Sequence, residues 1–203
     1  RPGAVADGAA CRPFRSDLAA MAINELPLPL TQAPAPKVMH FALLAGLEAA
    51  VRGTLISAMP LAVYQALGSA DATSVAYFTA GVIALVWGLM VPWATRKIPR
   101  RWAYTAGCLL YVIGMALAVT GRAELTLLSV VCNAMATATT FVCFNAYVLD
   151  YVDREDLGRS QSMQMVFAAA PWAIGPLTGV WLHSFWEPAP FLLAGFFALL
   201  LLA

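Results

Sequence analysis

The feature that most constrains this chain is a series of long apolar blocks that begins at Val38 and continues to the last residue. Only short polar connections separate the blocks, and five of them run for 18 residues or more. A hydrocarbon core about 30 Å thick needs about 20 helical residues to cross it. The pattern therefore predicts an all-α, polytopic membrane helix bundle with six transmembrane helices rather than a soluble globule.

The bounds of the six predicted spans follow from the connections between them. They are 38–67, 75–95, 102–120, 125–152, 161–185 and 190–203. The last holds 14 residues, which reach about 21 Å as a helix and stop short of the far side of the core. We therefore expect the last span to be truncated and the chain to be the front part of a longer protein. Residues 1–37 are proline-rich with mixed charge, which predicts a disordered N-terminal tail.

Composition excludes several classes of function. The chain is 61% hydrophobic and 11% charged, against roughly 25% charged residues in soluble domains. A net charge of +1 argues against a nucleic-acid partner, which needs a clustered basic surface. The sequence lacks the P-loop, zinc-protease and serine-hydrolase motifs, and its four cysteines form no C-x-x-C pair. We therefore expect a bilayer protein that is not an enzyme and that holds no metal or cofactor.

The distribution of cations predicts the orientation in the membrane. If the tail faces the cytoplasm, the inner segments hold ten lysines and arginines and the outer loops hold only Arg122. This asymmetry fits the positive-inside rule and predicts a multi-pass protein of the inner cell membrane with a cytoplasmic N-terminus. His183, near the outer end of the fifth span, is expected to lie at the membrane interface.

Two charges lie inside the first predicted span. Glu48 and Arg52 are four residues apart on one helical face, about 13 and 20 Å beyond the inner boundary. Charged groups at such depth are functional by default. In the interpretation that we favour, Glu48 binds and releases a proton or a cationic substrate, and Arg52 tunes it by direct charge interaction. In the alternative, the two form a buried structural pair that locks this span against a neighbour.

Polar residues of the fourth span follow helical spacing. Asn133, Thr137 and Thr140 lie at i, i+4 and i+7 on one face. Asn133 is about 14 Å from the outer boundary, level with the charges of the first span. This face is predicted to line a proton or substrate pathway. The alternative is that the hydroxyls bond to their own backbone or to the next helix.

Prolines and glycines predict where the helices bend. Pro60 is placed to kink the outer half of the first span, and Pro171 and Pro176 interrupt the fifth. Gly175 and Gly179 flank the second of these prolines and remove side chains from the helix surface. The fifth span is therefore predicted to be a kinked helix that can pack closely on another helix.

The arrangement of six spans, with polar faces on the first, fourth and fifth, resembles the N-terminal half of a major facilitator superfamily transporter. The segment Gly88-Leu-Met-Val-Pro-Trp-Ala-Thr-Arg96-Lys97 is similar to the family's loop motif between spans two and three, with its first glycine and its final basic pair. Pro92 and Thr95 stand where the family has an aspartate and a second glycine. The resemblance places Gly88, Arg96 and Lys97 in an inner loop that contributes to gating.

A second segment carries the resemblance in the fifth span. Gly175-Pro176-Leu-Thr-Gly179 is similar to the core of a motif that the superfamily associates with exporters and antiporters. The motif's first glycine is Pro171 here and its last is Val180. This match implies export, although its departures leave an importer of the same fold open.

A third similarity lies at the inner end of the fourth span, where Asp150, Arg154 and Arg159 resemble the family's acidic-then-basic pattern. The resemblance as a whole implies a 12-span carrier of two six-span halves, with a substrate site at the midplane. The partners expected are therefore a small-molecule substrate, protons and a C-terminal half of the same carrier.

The leading hypothesis is a secondary transporter that exports a small molecule by proton-coupled alternating access. Glu48 would be the proton site and Asn133 a substrate contact. The alternatives are an importer or symporter of the same superfamily, and a six-span membrane enzyme or assembly factor.

Overall fold

The computed structural model describes residues 36–152 and 154–202, and within these ranges the chain is a bundle of six helices without strands. The helices are α1 (Pro36–Leu67), α2 (Ala70–Ala94), α3 (Arg100–Val119), α4 (Ala123–Tyr151), α5 (Leu157–Phe185) and α6 (Ala189–Leu200). The first five are long and apolar enough to cross a membrane, and α6 is a shorter apolar helix of 12 residues. The all-α membrane bundle is therefore confirmed. The predicted disordered tail falls on residues 1–37, of which 1–35 lie outside the described ranges.

Two helices begin about one turn earlier than the hydropathy pattern predicts. α2 begins at Ala70 rather than near residue 75, because Ser69 is extended and its side chain accepts a hydrogen bond from the Ala72 N–H. Asp71 in the first turn of α2 adds a favourable charge at the helix N-terminus. α5 begins at Leu157, one turn before the predicted 161. In both cases the helix extends beyond the segment that is apolar enough to be read as a span.

The helices α3 and α6 pack against α4 and α1, respectively, and contribute no residue to the lining of the central cleft described below. α1 packs most extensively against α5 and also contacts α6, while α3 lies between α4 and α6. The main core cluster fills this side of the bundle and includes Val51, Tyr111, Met115 and Phe191, all of which are buried. α2 packs mainly against α4. This arrangement leaves parts of α1, α2, α4 and α5 to surround a central cleft.

The contact between α1 and α5 depends on glycines that face each other. A Cβ atom added to Gly175 would lie 2.6 Å from the carbonyl carbon of Gly53, and one added to Gly179 would meet the Thr54 carbonyl oxygen. The backbones of α1 and α5 can approach this closely only because these positions carry no side chain. Ser57 of α1 also donates a 2.8 Å hydrogen bond to the Pro176 carbonyl. α1 runs through Pro60, and α5 runs through Pro171 and Pro176.

Candidate functional site

A cleft of about 390 Å³ opens between α1, α2, α4 and α5, and we call it the central cleft. Its lining is apolar apart from four side chains. The residues on which its chemistry depends are Arg52, Met59, Tyr77, Asn133, Thr137 and Trp172. The structure thus brings together Arg52 of α1, which the sequence predicts near the membrane midplane, and part of the polar face of α4.

Arg52 is half-buried, and its guanidinium lies over the ring of Trp172 in α5, 5.4 Å from the ring centroid. The structure does not support the alternative in which Arg52 and Glu48 form a structural pair, because no salt bridge joins the two side chains in the described part of the chain. The cause is that each has another neighbour. The indole attracts the cation toward α5, whereas the carboxylate is held by α4.

Glu48 is buried, with 7% of its surface exposed, and it faces α4. The Thr140 hydroxyl, itself fully buried, donates a 2.9 Å hydrogen bond to the Glu48 carboxylate. A carboxyl group so far from water requires such a donor when it is ionised. The sequence predicted Glu48 and Thr140 as pathway residues of two different spans. The structure shows that their side chains are hydrogen-bonded to each other.

Glu48 lines a second, smaller cleft of about 260 Å³. We call it the inner cleft, because Gln161 and Gln164 at the predicted cytoplasmic end of α5 contribute to its wall. Arg52 and Trp172 line both clefts. The cation–aromatic pair therefore lies at the boundary between the two cavities.

The three polar residues of α4 have different surroundings. Thr137 accepts or donates a 2.8 Å hydrogen bond with the Tyr111 hydroxyl and also bonds to the Asn133 carbonyl at 2.9 Å. Thr137 and Asn133 line the central cleft, whereas Thr140 turns toward Glu48. The Asn133 Oδ1 atom and the Tyr77 hydroxyl are buried and have no hydrogen-bond partner among the described residues.

Three of the six residues predicted for the inner loop lie in helices and three lie in turns. Gly88 is inside α2, where an added Cβ would be 3.7 Å from that of Ala138, so its placement in the loop is wrong. Arg96 and Lys97 are in the turn after α2, and the Lys97 ammonium lies 4.4 Å from the centroid of the Trp93 ring. The α-helix continues past Gly88 because glycine is tolerated inside a helix at a modest cost.

The acidic and basic residues after the fourth span also divide between elements. Asp150 is in the last turn of α4 and forms an ion pair with Arg100 at the start of α3. Both side chains are about half exposed, so the pair contributes little stability. Arg154 is exposed in the following turn, and Arg159 is in the first turn of α5. The sequence pattern identified Asp150 but not its partner.

His183 lies two residues before the end of α5 and is buried in the bundle, with 7% of its surface exposed. Its Nε2 atom is 3.1 Å from Oε1 of Gln65 in α1, and its Nδ1 atom is 3.2 Å from the Glu187 carbonyl oxygen. These bonds tie the outer ends of α1 and α5 together. His183 lines neither the central cleft nor the inner cleft. Its hydrogen bonds therefore indicate a structural role.

Sequence reasoning missed the aromatic partners of the site. Trp172 lies between the two prolines of α5, and Tyr77 lies in the first half of α2. Aromatic residues in a predicted span usually face lipid or lie at the membrane interface. The sequence therefore does not indicate that Trp172 and Tyr77 belong to the site. Only the fold shows that both line the same cleft as Arg52 and Asn133.

Nothing in the described residues suggests a metal centre. No group of three histidine, cysteine, aspartate or glutamate side chains in these ranges is placed to hold an ion. Cys108, Cys132 and Cys143 are free thiols. The site therefore holds two charged side chains in different environments. Glu48 is buried and hydrogen-bonded, and Arg52 faces the central cleft.

Comparison with family models identifies the family of this chain. The family model described as Major Facilitator Superfamily matches residues 41–203, which include all of α2 to α6 and most of α1. No curated protein matches the chain.

Proposed function

Because the chain belongs to the Major Facilitator Superfamily and is a membrane transporter, we propose that it is a proton-coupled exporter of a small organic molecule. Membership in this family also answers the question of enzyme activity, since its members are transporters. The hypothesis of a six-span membrane enzyme or assembly factor is therefore set aside.

The observation that carries the proposal is the environment of Glu48. A single carboxyl group near the middle of the first span is buried, is hydrogen-bonded by Thr140 and is not neutralised by an ion pair with a described residue. Intramembrane carboxyl groups of this kind serve as proton sites in transporters. Because Glu48 also lines the inner cleft, a proton can reach it from that side. We propose that Glu48 is the coupling site and that Arg52, one turn away, tunes it.

The close contact between α1 and α5 supports a moving role for α5. Gly175 and Gly179 let α5 approach α1, and Pro176 removes one backbone hydrogen bond from α5 next to this contact. The same segment is similar to the exporter motif. Since Trp172 of α5 separates the two clefts together with Arg52, a shift of α5 along α1 would open one cleft as it closes the other. This is the geometry that alternating access requires.

A second six-span half is the partner that we propose for the open side of the bundle. The apolar stretches of α2 and α5 are only 11% buried, against 33% or more for α1, α3 and α4. In a two-half carrier the substrate site lies between the halves. We further propose the inner cell membrane with a cytoplasmic N-terminus, because Arg96, Lys97 and Arg100 are at one end of the bundle and Arg122 is at the other.

Uptake into everted membrane vesicles tests the direction and coupling of transport. Vesicles that contain the full-length protein are compared with vesicles that lack it. Three solutes that differ in charge are followed by mass spectrometry: the anion para-hydroxybenzenesulfonate, the neutral para-hydroxybenzyl alcohol and the cation para-hydroxyphenyltrimethylammonium. An exporter driven by protons accumulates at least one solute when respiration acidifies the lumen, and a protonophore abolishes this accumulation. Uptake that needs no proton gradient, or accumulation only in right-side-out vesicles, contradicts the proposal.

The second candidate is an importer or symporter of the same fold. It is favoured by the departures at Pro171 and Val180, which weaken the match to the exporter motif. Accumulation in right-side-out vesicles that collapses with a protonophore is the result expected for it.

A further inference from the structure

The guanidinium of Arg52 has no acceptor in the described part of the chain. An arginine side chain carries five N–H donors and no acceptor, yet no hydrogen bond or ion pair to a described residue satisfies any of them. The guanidinium lies over the face of Trp172, which offers no hydrogen-bond acceptor atom. A cation at this depth is costly unless it is paired or faces a water-filled cavity. The N–H donors of Arg52 are therefore available to an acceptor group on a bound molecule.

The charge of the central cleft points to an anion. Arg52 is the only charged side chain among the described residues that line it. Glu48, the nearest carboxyl group along α1, is engaged by Thr140 and lines the inner cleft. A cationic molecule in the central cleft would meet the guanidinium without a compensating carboxylate, whereas a carboxylate, sulfonate or phosphate group would form charge-assisted hydrogen bonds with it.

Two further polar groups of the same cleft lack partners. The Asn133 Oδ1 atom and the Tyr77 hydroxyl are both without a hydrogen bond among the described residues. A buried polar atom left unpaired costs about 1–3 kcal/mol, so such groups are normally satisfied by something. The terminal torsion of an asparagine is soft, so a small rotation turns Oδ1 toward a molecule in the cleft. A ligand that carries a hydroxyl or N–H donor would satisfy it.

The remaining wall of the central cleft is apolar. Leu55, Met59 and Val130 line the cleft together with the indole of Trp172 and offer no strong hydrogen-bonding groups from their side chains. A volume of about 390 Å³ is at the small end of the range for small-molecule sites. The occupant is therefore a small molecule with a flat or apolar body that stacks beside Trp172.

We propose that the central cleft binds a small organic anion that carries a hydroxyl or N–H group on an apolar body, with Arg52 as its anchor. Trp172 positions the guanidinium, and Asn133 and Tyr77 select for the additional polar group. This inference rests on the proposed transport function for its biological meaning, and it holds for export and for import alike.

Competition binding on the purified full-length protein tests the charge preference without any mutation. The probe is para-hydroxybenzenesulfonate, followed by isothermal titration calorimetry in lipid nanodiscs. Benzenesulfonate, which lacks the hydroxyl, is expected to bind several-fold more weakly. The neutral para-hydroxybenzyl alcohol and the cationic para-hydroxyphenyltrimethylammonium are expected to bind at least tenfold more weakly. Equal or tighter binding of the cation, or no binding of either sulfonate, overturns the proposal.

Variants then assign the preference to particular residues. Arg52→Gln is expected to weaken binding of both sulfonates at least tenfold, and Arg52→Lys to have an intermediate effect because lysine keeps the charge but loses the planar fork. Arg122→Gln, in the exposed outer turn, is the matched control and should bind as the wild type does. Asn133→Leu should remove the preference for the hydroxylated sulfonate and leave benzenesulfonate binding intact. If Arg52→Gln is folded and binds normally, Arg52 is not the anchor.

Failure of this inference and failure of the proposed function give different results. Binding in nanodiscs requires neither a gradient nor a complete transport cycle. Selective anion binding together with no energised uptake in vesicles contradicts the transport proposal and supports the cleft assignment. Energised uptake of the cation alone, with no sulfonate binding, supports transport and overturns the anion site.

Discussion

Replacing Gly175 by alanine is predicted to force α1 and α5 apart. The new Cβ would lie 2.6 Å from the Gly53 carbonyl carbon and 2.8 Å from its Cα atom. Ordinary carbon contacts are about 3.5–4.0 Å, so the helices must separate by roughly 1 Å at this point. Both obstructing atoms belong to the backbone, which cannot move out of the way as a side chain can. Overpacking of this kind costs about 1–3 kcal/mol.

The assay is thermal unfolding of the purified full-length protein in detergent, followed by tryptophan fluorescence. For a chain of this size the expected loss is a fall in Tm of about 2–12 °C. Gly158→Ala is the control within the same helix, because a Cβ at Gly158 meets nothing within 4 Å. Alanine is a better helix former than glycine, so this control should keep or raise the Tm. If Gly175→Ala is as stable as Gly158→Ala, the close approach of α1 and α5 is wrong.

Two further predictions concern the buried carboxyl group and the orientation. Thr140→Val removes the hydroxyl that bonds to Glu48 and should lower stability by about 1–3 kcal/mol in the same unfolding assay. Thr105→Val, which deletes a hydroxyl bonded to its own helix, should have a smaller effect, and equal losses would contradict the role of the bond. In a variant without native cysteines, Arg122→Cys should react with an impermeant maleimide in intact cells, and Arg154→Cys only after permeabilisation; the reverse pattern would invert the proposed topology.

Hydropathy was sufficient for the fold because the membrane constrains each helix separately. The apolar blocks located α1, α3 and α4 to within a few residues of their bounds. The starts of α2 and α5 were less accurate, since a helix can extend past the bilayer wherever local capping favours it, as Ser69 does for α2. Length and composition define a span, and they do not define a helix end.

The candidate site was less accessible from the sequence. Helical spacing identified Glu48 and Arg52 as one face, and it left a structural ion pair open as the alternative to a functional carboxyl group tuned by Arg52. Their real neighbours, Thr140 and Trp172, are more than 90 residues away along the chain. A contact between distant helices depends on how the bundle packs, and a single sequence does not encode that in any local pattern.

Glycine spacing in α5 is an intermediate case. Gly175 and Gly179 predict a close helix contact because small residues four apart form one groove. The sequence did not identify the opposing helix, because the two glycines of α1, Gly46 and Gly53, are seven residues apart rather than four, and Ser57 is an ordinary polar residue there. The structure supplies the partner through the Gly53 backbone and the hydrogen bond from Ser57 to the Pro176 carbonyl.

The most direct test of the central claim is proton movement through the Glu48→Gln variant. Full-length protein is reconstituted in proteoliposomes that enclose a pH-sensitive dye. A gradient is then imposed of the solute, among the three named above, that the everted vesicles accumulate. The wild type and Glu124→Gln, which changes an exposed glutamate in the first turn of α4, should show solute-dependent proton flux. Glu48→Gln should lose that flux while it still binds the solute. If Glu48→Gln is folded and its proton-linked transport is unchanged, Glu48 is not the coupling site.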